Sequence, residues 1–156
     1  MQLKIYRENG ILSKEVFSTV EKKINYFFPG LYKKIVTKHD GMRLYNNIFD
    51  FTNVYGEVDE RDVNFLSFDN SEVENILAEQ YVSDPKYAGV PHLVAFAICA
   101  NGDYVCFDYR DDPTGDNPKV VLMYHDDHIE NEDGTTSMVV NHVADSFEEF
   151  MEMLHE

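Results

Sequence analysis

Between Ser13 and Tyr26 the apolar side chains fall at Val16, Phe17, Val20 and Ile24, one face of a helix, and Ser13 stands where a cap belongs. Pro29 fits the first turn of a second helix. Tyr32, Ile35 and Val36 form its buried stripe, and Asp40-Gly41 closes it, glycine being able to take the left-handed conformation. From Arg43 to Phe51 the pattern changes to aromatic and apolar residues among turn formers, a short strand or two. Thr52 to Asp62 reads as a polar loop and Val63 to Ser67 as another short strand or a linker. Ser71 and Glu74 have the spacing of a capping box. Val73, Ile76, Leu77 and Tyr81 follow at helical spacing, which predicts a middle helix ended by Ser83-Asp84-Pro85.

His92–Cys99 and Asp103–Tyr109 alternate and are joined by Asn101-Gly102, the dipeptide of a two-residue type I′ hairpin. That turn pairs 98 with 105, 96 with 107 and 94 with 109. It puts Val94, Phe96, Ile98, Val105, Phe107 and Tyr109 on a core face. Ala95, Ala97, Cys99, Tyr104, Cys106 and Asp108 fall on a mixed, thinly covered face. Cys99 and Cys106 are then diagonal neighbours, about 7–8 Å apart and too distant for an unstrained disulfide. Val120–His125 is a further strand and Met138–Val140 a short last one. Ser146 with Glu149 opens a final helix whose stripe is Phe147, Phe150, Met151 and Leu154. Strands joined by short loops, with helices gathered around them, predict a single α+β domain. Its antiparallel sheet of about four to six strands is packed by N-terminal, middle and C-terminal helices.

The 156 residues suit one domain. The net charge is −16 and unevenly spread. Residues 1–43 hold nine Lys or Arg against four Asp or Glu, whereas residues 44–156 hold four against twenty-five. Such a surface repels a phosphate backbone and an anionic membrane, so neither nucleic acid nor membrane is expected as a partner. It favours a basic partner. Two cysteines make no disulfide framework, and the charged N-terminus lacks the apolar core of a signal peptide, so the expected location is the cytoplasm.

No catalytic constellation stands out. A thiolate at Cys106 with His125 as base would sit among acids that raise a thiol pKa. His125-Asp126-Asp127-His128 offers metal-ligand types, but neighbours along a strand point apart. Asp108–Asp116 is acidic and contains Gly115, yet it lacks the alternating carboxylates and closing Glu of a calcium loop. No phosphate-cradling glycine motif is present and no cofactor is expected. What is distinctive is density: ten acids between Asp103 and Asp133 against Arg110 and Lys119.

Several stretches resemble the SUKH superfamily, which groups the yeast Smi/Knr regulators of cell-wall synthesis with bacterial immunity proteins. They are Phe28-Pro29-Gly30-Leu31-Tyr32 with His39-Asp40-Gly41, then Phe65-Leu66-Ser67, then Ala100-Asn101-Gly102-Asp103 leading to Val105–Arg110. Val120-Val121 to Tyr124-His125-Asp126 and Val143–Phe150 complete the series over about residues 13–154. Gly41 stands alone where many members show a glycine pair.

The resemblance implies an α+β fold, a binding role and no catalytic residues. Its bacterial members imply a non-enzymatic immunity protein that neutralises a cognate toxin domain, a nuclease or deaminase. The yeast members imply instead a regulatory adaptor in cell-wall assembly, and a metal-dependent enzyme is the third reading. A nuclease toxin is basic because it binds phosphates, so an acidic inhibitor associates by charge. The expected contact residues are Asp108, Asp111, Asp112, Asp116, Asp126 and Asp127, with Tyr109 and Tyr124 as aromatic anchors.

Overall fold

A computed structural model describes residues 2–156. Helix α1 (Lys14–Ile24) begins where Ser13 Oγ accepts the Val16 amide at 3.1 Å, and ends at Asn25 with φ +65°. Glu15 in its first turn and Lys22 and Lys23 in its last complement the helix dipole. Phe17 and Val20 are buried, whereas Val16, expected on the same face, is exposed. Helix α2 (Gly30–Val36) buries Tyr32, Ile35 and Val36 as expected. Helix α3 (Phe147–Met153) starts from Ser146 Oγ on the Glu149 amide at 3.1 Å and buries Phe147, Phe150 and Met151.

The strands form three antiparallel sheets. Strand β1 (Ile5–Arg7) pairs with β2 (Arg43–Leu44), and β3 (Ile48–Thr52) with β4 (Val58–Asp62). The main sheet runs in the order β5 (Asn64–Phe65), β6 (Leu93–Ile98), β7 (Tyr104–Asp108), β8 (Lys119–Glu130) and β9 (Thr136–Ala144). This is the α+β architecture expected. The aromatic core joins Tyr32 of α2, Phe96 and Phe107 of the sheet, and Phe147 of α3, with Phe96 stacked on Phe107 at 4.1 Å. The Tyr32 hydroxyl is fully buried with no hydrogen-bond partner among the described residues. Tyr32→Phe is therefore expected to be neutral or to stabilise by about 1 kcal/mol in urea unfolding, since no bond is lost with the oxygen.

Three expectations are corrected. The polar stretch 52–62 contains strand β4, whose outward charges hide an edge-strand pattern. The turn before it is fixed by Asn53, whose Oδ1 accepts the Tyr55 and Glu57 amides at 3.0 Å.

The middle helix does not form. Asp69 Oδ1 takes both the amide and hydroxyl of Ser71, so that hydroxyl caps nothing. Ser67 then donates to the Glu74 carbonyl at 3.0 Å and accepts the Ile76 amide at 2.8 Å. Backbone groups a helix would use internally are thereby spent on a parallel bridge, leaving Val73 exposed. Only short 3₁₀ turns follow, at Gln80–Ser83 and Pro85–Tyr87.

The hairpin exists, but in another register. Asn101 does not adopt positive φ. Cys99 pairs with Asp103 across a three-residue loop in which Gly102, at φ +97°, is the left-handed residue. Ile98 thus faces Tyr104 and Ala97 faces Val105, and the extra residue is absorbed by a bulge at Phe96. The face expected to be thinly covered is buried, with Cys106 fully enclosed and Tyr104 packed against Tyr81.

Beyond β5 the edge of β6 is closed by a side chain. Gln80 Oε1 accepts the Ala95 amide at 3.2 Å and Nε2 donates to the Ala95 carbonyl at 2.9 Å, copying a strand. Gln80→Ala leaves both groups unpaired, and we expect a loss of about 1–3 kcal/mol in chemical denaturation.

Candidate functional site

The eight sequence-predicted contact residues do not form one patch. Asp108 ends β7 opposite Lys119, while Asp126 lies seven residues farther along β8. At about 3.3 Å per residue the two groups sit roughly 20 Å apart, at opposite ends of the sheet.

At the first end, Asp108 is already satisfied. Arg110 grips it with Nε and Nη2 at 2.9 and 2.8 Å. Partial burial pushes its pKa up, but the bonds from Arg110 outweigh this and hold it below the ordinary carboxylate value. Asp111, exposed, reaches Lys119 at 3.4 Å, and Asp112 and Asp116 are exposed on the same loop. Tyr109 is a correction. Its side chain is 1% exposed and its hydroxyl donates to the Phe27 carbonyl at 2.7 Å, so it ties a loop to the core and offers no anchor to a partner.

The second end is built from remote segments around Asp103, itself 1% exposed. Its Oδ2 accepts Arg61 Nε at 3.0 Å and Asn101 Nδ2 at 3.1 Å. Its Oδ1 accepts the His125 amide at 3.1 Å and lies 2.6 Å from His125 Nδ1. Burial raises the Asp103 pKa, but the His125, Arg61 and Asn101 bonds more than offset it and the net shift is downward. Arg61 also bridges Asp59 at 3.0 Å and lies over the rings of Phe51 and Tyr124. Tyr124 is the second aromatic correction. It is buried, and its hydroxyl donates to Asn141 Oδ1 at 3.0 Å. Asn141 Nδ2 in turn donates to the Thr52 carbonyl at 3.1 Å.

These bonds dock the β3–β4 hairpin onto β8 and β9. The hairpin tip reaches Asp127 through the Tyr55 hydroxyl. Val54, Tyr55 and Val58 are exposed there, beside Glu57 and Asp59 of the hairpin and Asp126 and Asp127 of β8. The tip residues were hidden in the sequence by the loop reading; the alternation of Ile48–Thr52 followed by Asn53 and Gly56 is the signal that finds them.

Asp103, His125 and Asp126 bring ligand atoms within 4.8 Å of one another. Arg61 already supplies the cation at this cluster, and both Asp103 oxygens are filled by donors. The cluster is therefore a structural joint. Among the described residues no helix is long and apolar enough to cross a membrane.

The quoted sequence stretches meet in space. Buried Asp40 accepts the Ser67 hydroxyl at 2.5 Å and the Phe68 amide at 2.8 Å, joining the His39-Asp40-Gly41 and Phe65-Leu66-Ser67 segments. The Asn101–Asp103 turn joins Tyr124-His125-Asp126 through Asp103. A family model described as the SMI1 / KNR4 family (SUKH-1) matches residues 11–153. The chain belongs to this family. No curated protein and no solved structure matches it. In this SUKH-1 chain the two joints hold the fold and expose little, which is why family membership leaves the partner open. Gly41 alone serves its turn, at φ +61°, where a Cβ would come within 2.9 Å of Asn9 Nδ2.

Proposed function

We propose that this SUKH-1 chain is a non-enzymatic inhibitor of the immunity type, which neutralises a basic toxin domain, a nuclease or deaminase, by covering it with the face made by the β3–β4 tip and outer β8. The observation that carries the reading is the pairing of exposed Val54, Tyr55 and Val58 with carboxylates on the same surface. Apolar anchors ringed by charge are what a steered, specific interface requires. The acidic balance of residues 44–156 draws a basic partner in, and the tip supplies area to hold it.

The test is stopped-flow association with a candidate basic toxin domain from a neighbouring reading frame, using Glu57→Lys/Asp126→Lys/Asp127→Lys. All three side chains lie outside the buried core. The on-rate is expected to fall about ten- to a thousandfold and its salt dependence to flatten. An unchanged rate and salt slope would remove the electrostatic interface. Capture of an envelope-synthesis protein in place of the toxin would move the chain to the regulatory branch of its family.

A further inference from the structure

Asparagine followed by glycine occurs twice in the chain, at Asn9-Gly10 and at Asn101-Gly102. The pair is labile for a chemical reason. Glycine has no Cβ to shield its amide nitrogen, which can approach the neighbouring carboxamide carbon. The nitrogen attacks Cγ, a C–N bond forms to close a cyclic imide, and the Cγ–Nδ2 bond breaks. The amide proton leaves with Nδ2 as ammonia. Water then opens the imide at either carbonyl and leaves aspartate or isoaspartate in the chain. No co-reactant other than water is needed, so the rate is set by how freely nitrogen and carbon meet.

Both asparagines are exposed, so water reaches each of them. Their hydrogen bonds differ. Asn101 is held at both ends of its carboxamide: Oδ1 accepts the Asp103 amide at 3.0 Å and Nδ2 donates to Asp103 Oδ2 at 3.1 Å. The attacking nitrogen is occupied too, since the Gly102 amide donates to the Cys99 carbonyl at 2.9 Å. The His125 ring lies 3.4 Å from the point where a Gly102 Cβ would stand, so that glycine has little room to turn. At the other pair the tethers lie elsewhere. The Asn9 amide donates to the Asp40 carbonyl at 2.8 Å, and the Gly10 carbonyl accepts the Asp40 amide at 2.9 Å. Among the described residues the Gly10 amide between them has no acceptor and Asn9 Oδ1 has no donor. Asn9 Nδ2 makes only long contacts, 3.4 Å to Ser67 Oγ and 3.5 Å to Asp40 Oδ2. Nothing stands within 4 Å of the place a Gly10 Cβ would take.

We propose that Asn9 deamidates spontaneously in the folded protein, while Asn101, in the same dipeptide, is protected by the fold. The reactive site stands where the change matters. Asn9 Nδ2 faces Asp40, which is 2% exposed, and packs against Gly41. Deamidation replaces that donor by a carboxylate oxygen, so two negative charges meet at the 3.5 Å spacing now bridged by a hydrogen bond. The isoaspartate product also adds a methylene to the main chain between the two bonds that Asn9 and Gly10 make with Asp40, throwing them out of register. The joint of the His39-Asp40-Gly41 and Phe65-Leu66-Ser67 segments is thus loosened by age alone. Asn9 is a chemical timer on the fold, independent of any partner.

The experiment needs no toxin. The intact chain is incubated at mildly alkaline pH, in buffer and in urea. Peptides containing Asn9 and Asn101 are followed by mass spectrometry for exchange of the amide nitrogen for oxygen. In buffer, Asn9 is expected to convert about ten- to a hundredfold faster than Asn101. In urea, where no fold restrains either pair, the two rates should converge. Equal rates in buffer, or a faster Asn101, overturn the proposal. Asn9→Asp reads the structural consequence without waiting for the reaction. Its urea midpoint is expected below that of the parent, with Asn9→Ser, which removes the amide without adding charge, closer to the parent. An Asn9→Asp protein as stable as the parent would remove the timer.

Discussion

Replacing Asp103 by alanine is expected to cost about 3–5 kcal/mol, which for a chain of this length is a fall in Tm of roughly 10 °C. The substitution leaves the Arg61 guanidinium, the Asn101 amide and two nitrogens of His125 without their acceptor. Arg61 keeps Asp59, but a largely buried cation then has half its compensation. Asp103→Asn retains an oxygen and should lose less. Urea denaturation of the three proteins checks the order.

The same carboxylate has a pH signature. Its folded pKa lies below its unfolded one, so between the two values the unfolded chain binds more protons and stability rises with pH. The contribution is complete above about pH 5 and disappears as the pH falls below about 4, through the lowered value. The stability gap between parent and Asp103→Ala should therefore narrow on acidification from pH 5 to 3. A gap that widens over that interval would show that the carboxylate is not held ionised by its donors.

The second large loss is expected for Phe147→Ala, about 3–5 kcal/mol. Phe147 is fully buried and its ring meets Tyr32 at 5.5 Å and Phe96 and Phe107 at 5.8 Å. It is the side chain by which α3 enters the aromatic core, so truncation leaves a cavity between α2, α3 and the sheet. Phe147→Leu should recover more than half of the loss, and Glu148→Ala, on the outer side of the same helix, should stay within about 0.5 kcal/mol. Thermal unfolding of these variants decides the matter: equal losses for Phe147→Ala and Glu148→Ala would mean that α3 is peripheral.

Much of the fold was legible because its signals are local. A serine cap and an apolar stripe specify α1 and α3, and the stripe of α2 needs only its own seven residues. Other elements were decided from a distance. Ser71 and Glu74 have the spacing of a helix start, but Asp69 and the Ser67 backbone outcompete it. The hairpin between Cys99 and Asp103 was legible as a hairpin, yet its register depends on whether Asn101 adopts positive φ, and it does not.

The candidate surface divides in the same way. Its acidity is plain from composition, and alternation alone places Tyr109 on a core face. Nothing near Tyr124 announces Asn141, and nothing near Asp103 announces Arg61, forty-two residues away. Long-range polar joints leave no periodic trace, so the β3–β4 hairpin that they dock remained hidden.

Both thiols of the chain are free, buried, and pushed by that burial far from the thiolate form. Cys106 is opposite Ala95 on the sheet, and Cys99 flanks the hairpin loop, bonded to Asp103 through its backbone. Burial shields both sulfurs from oxidants while the domain is folded. The folded domain thus has no exposed thiol to lose in an oxidising environment.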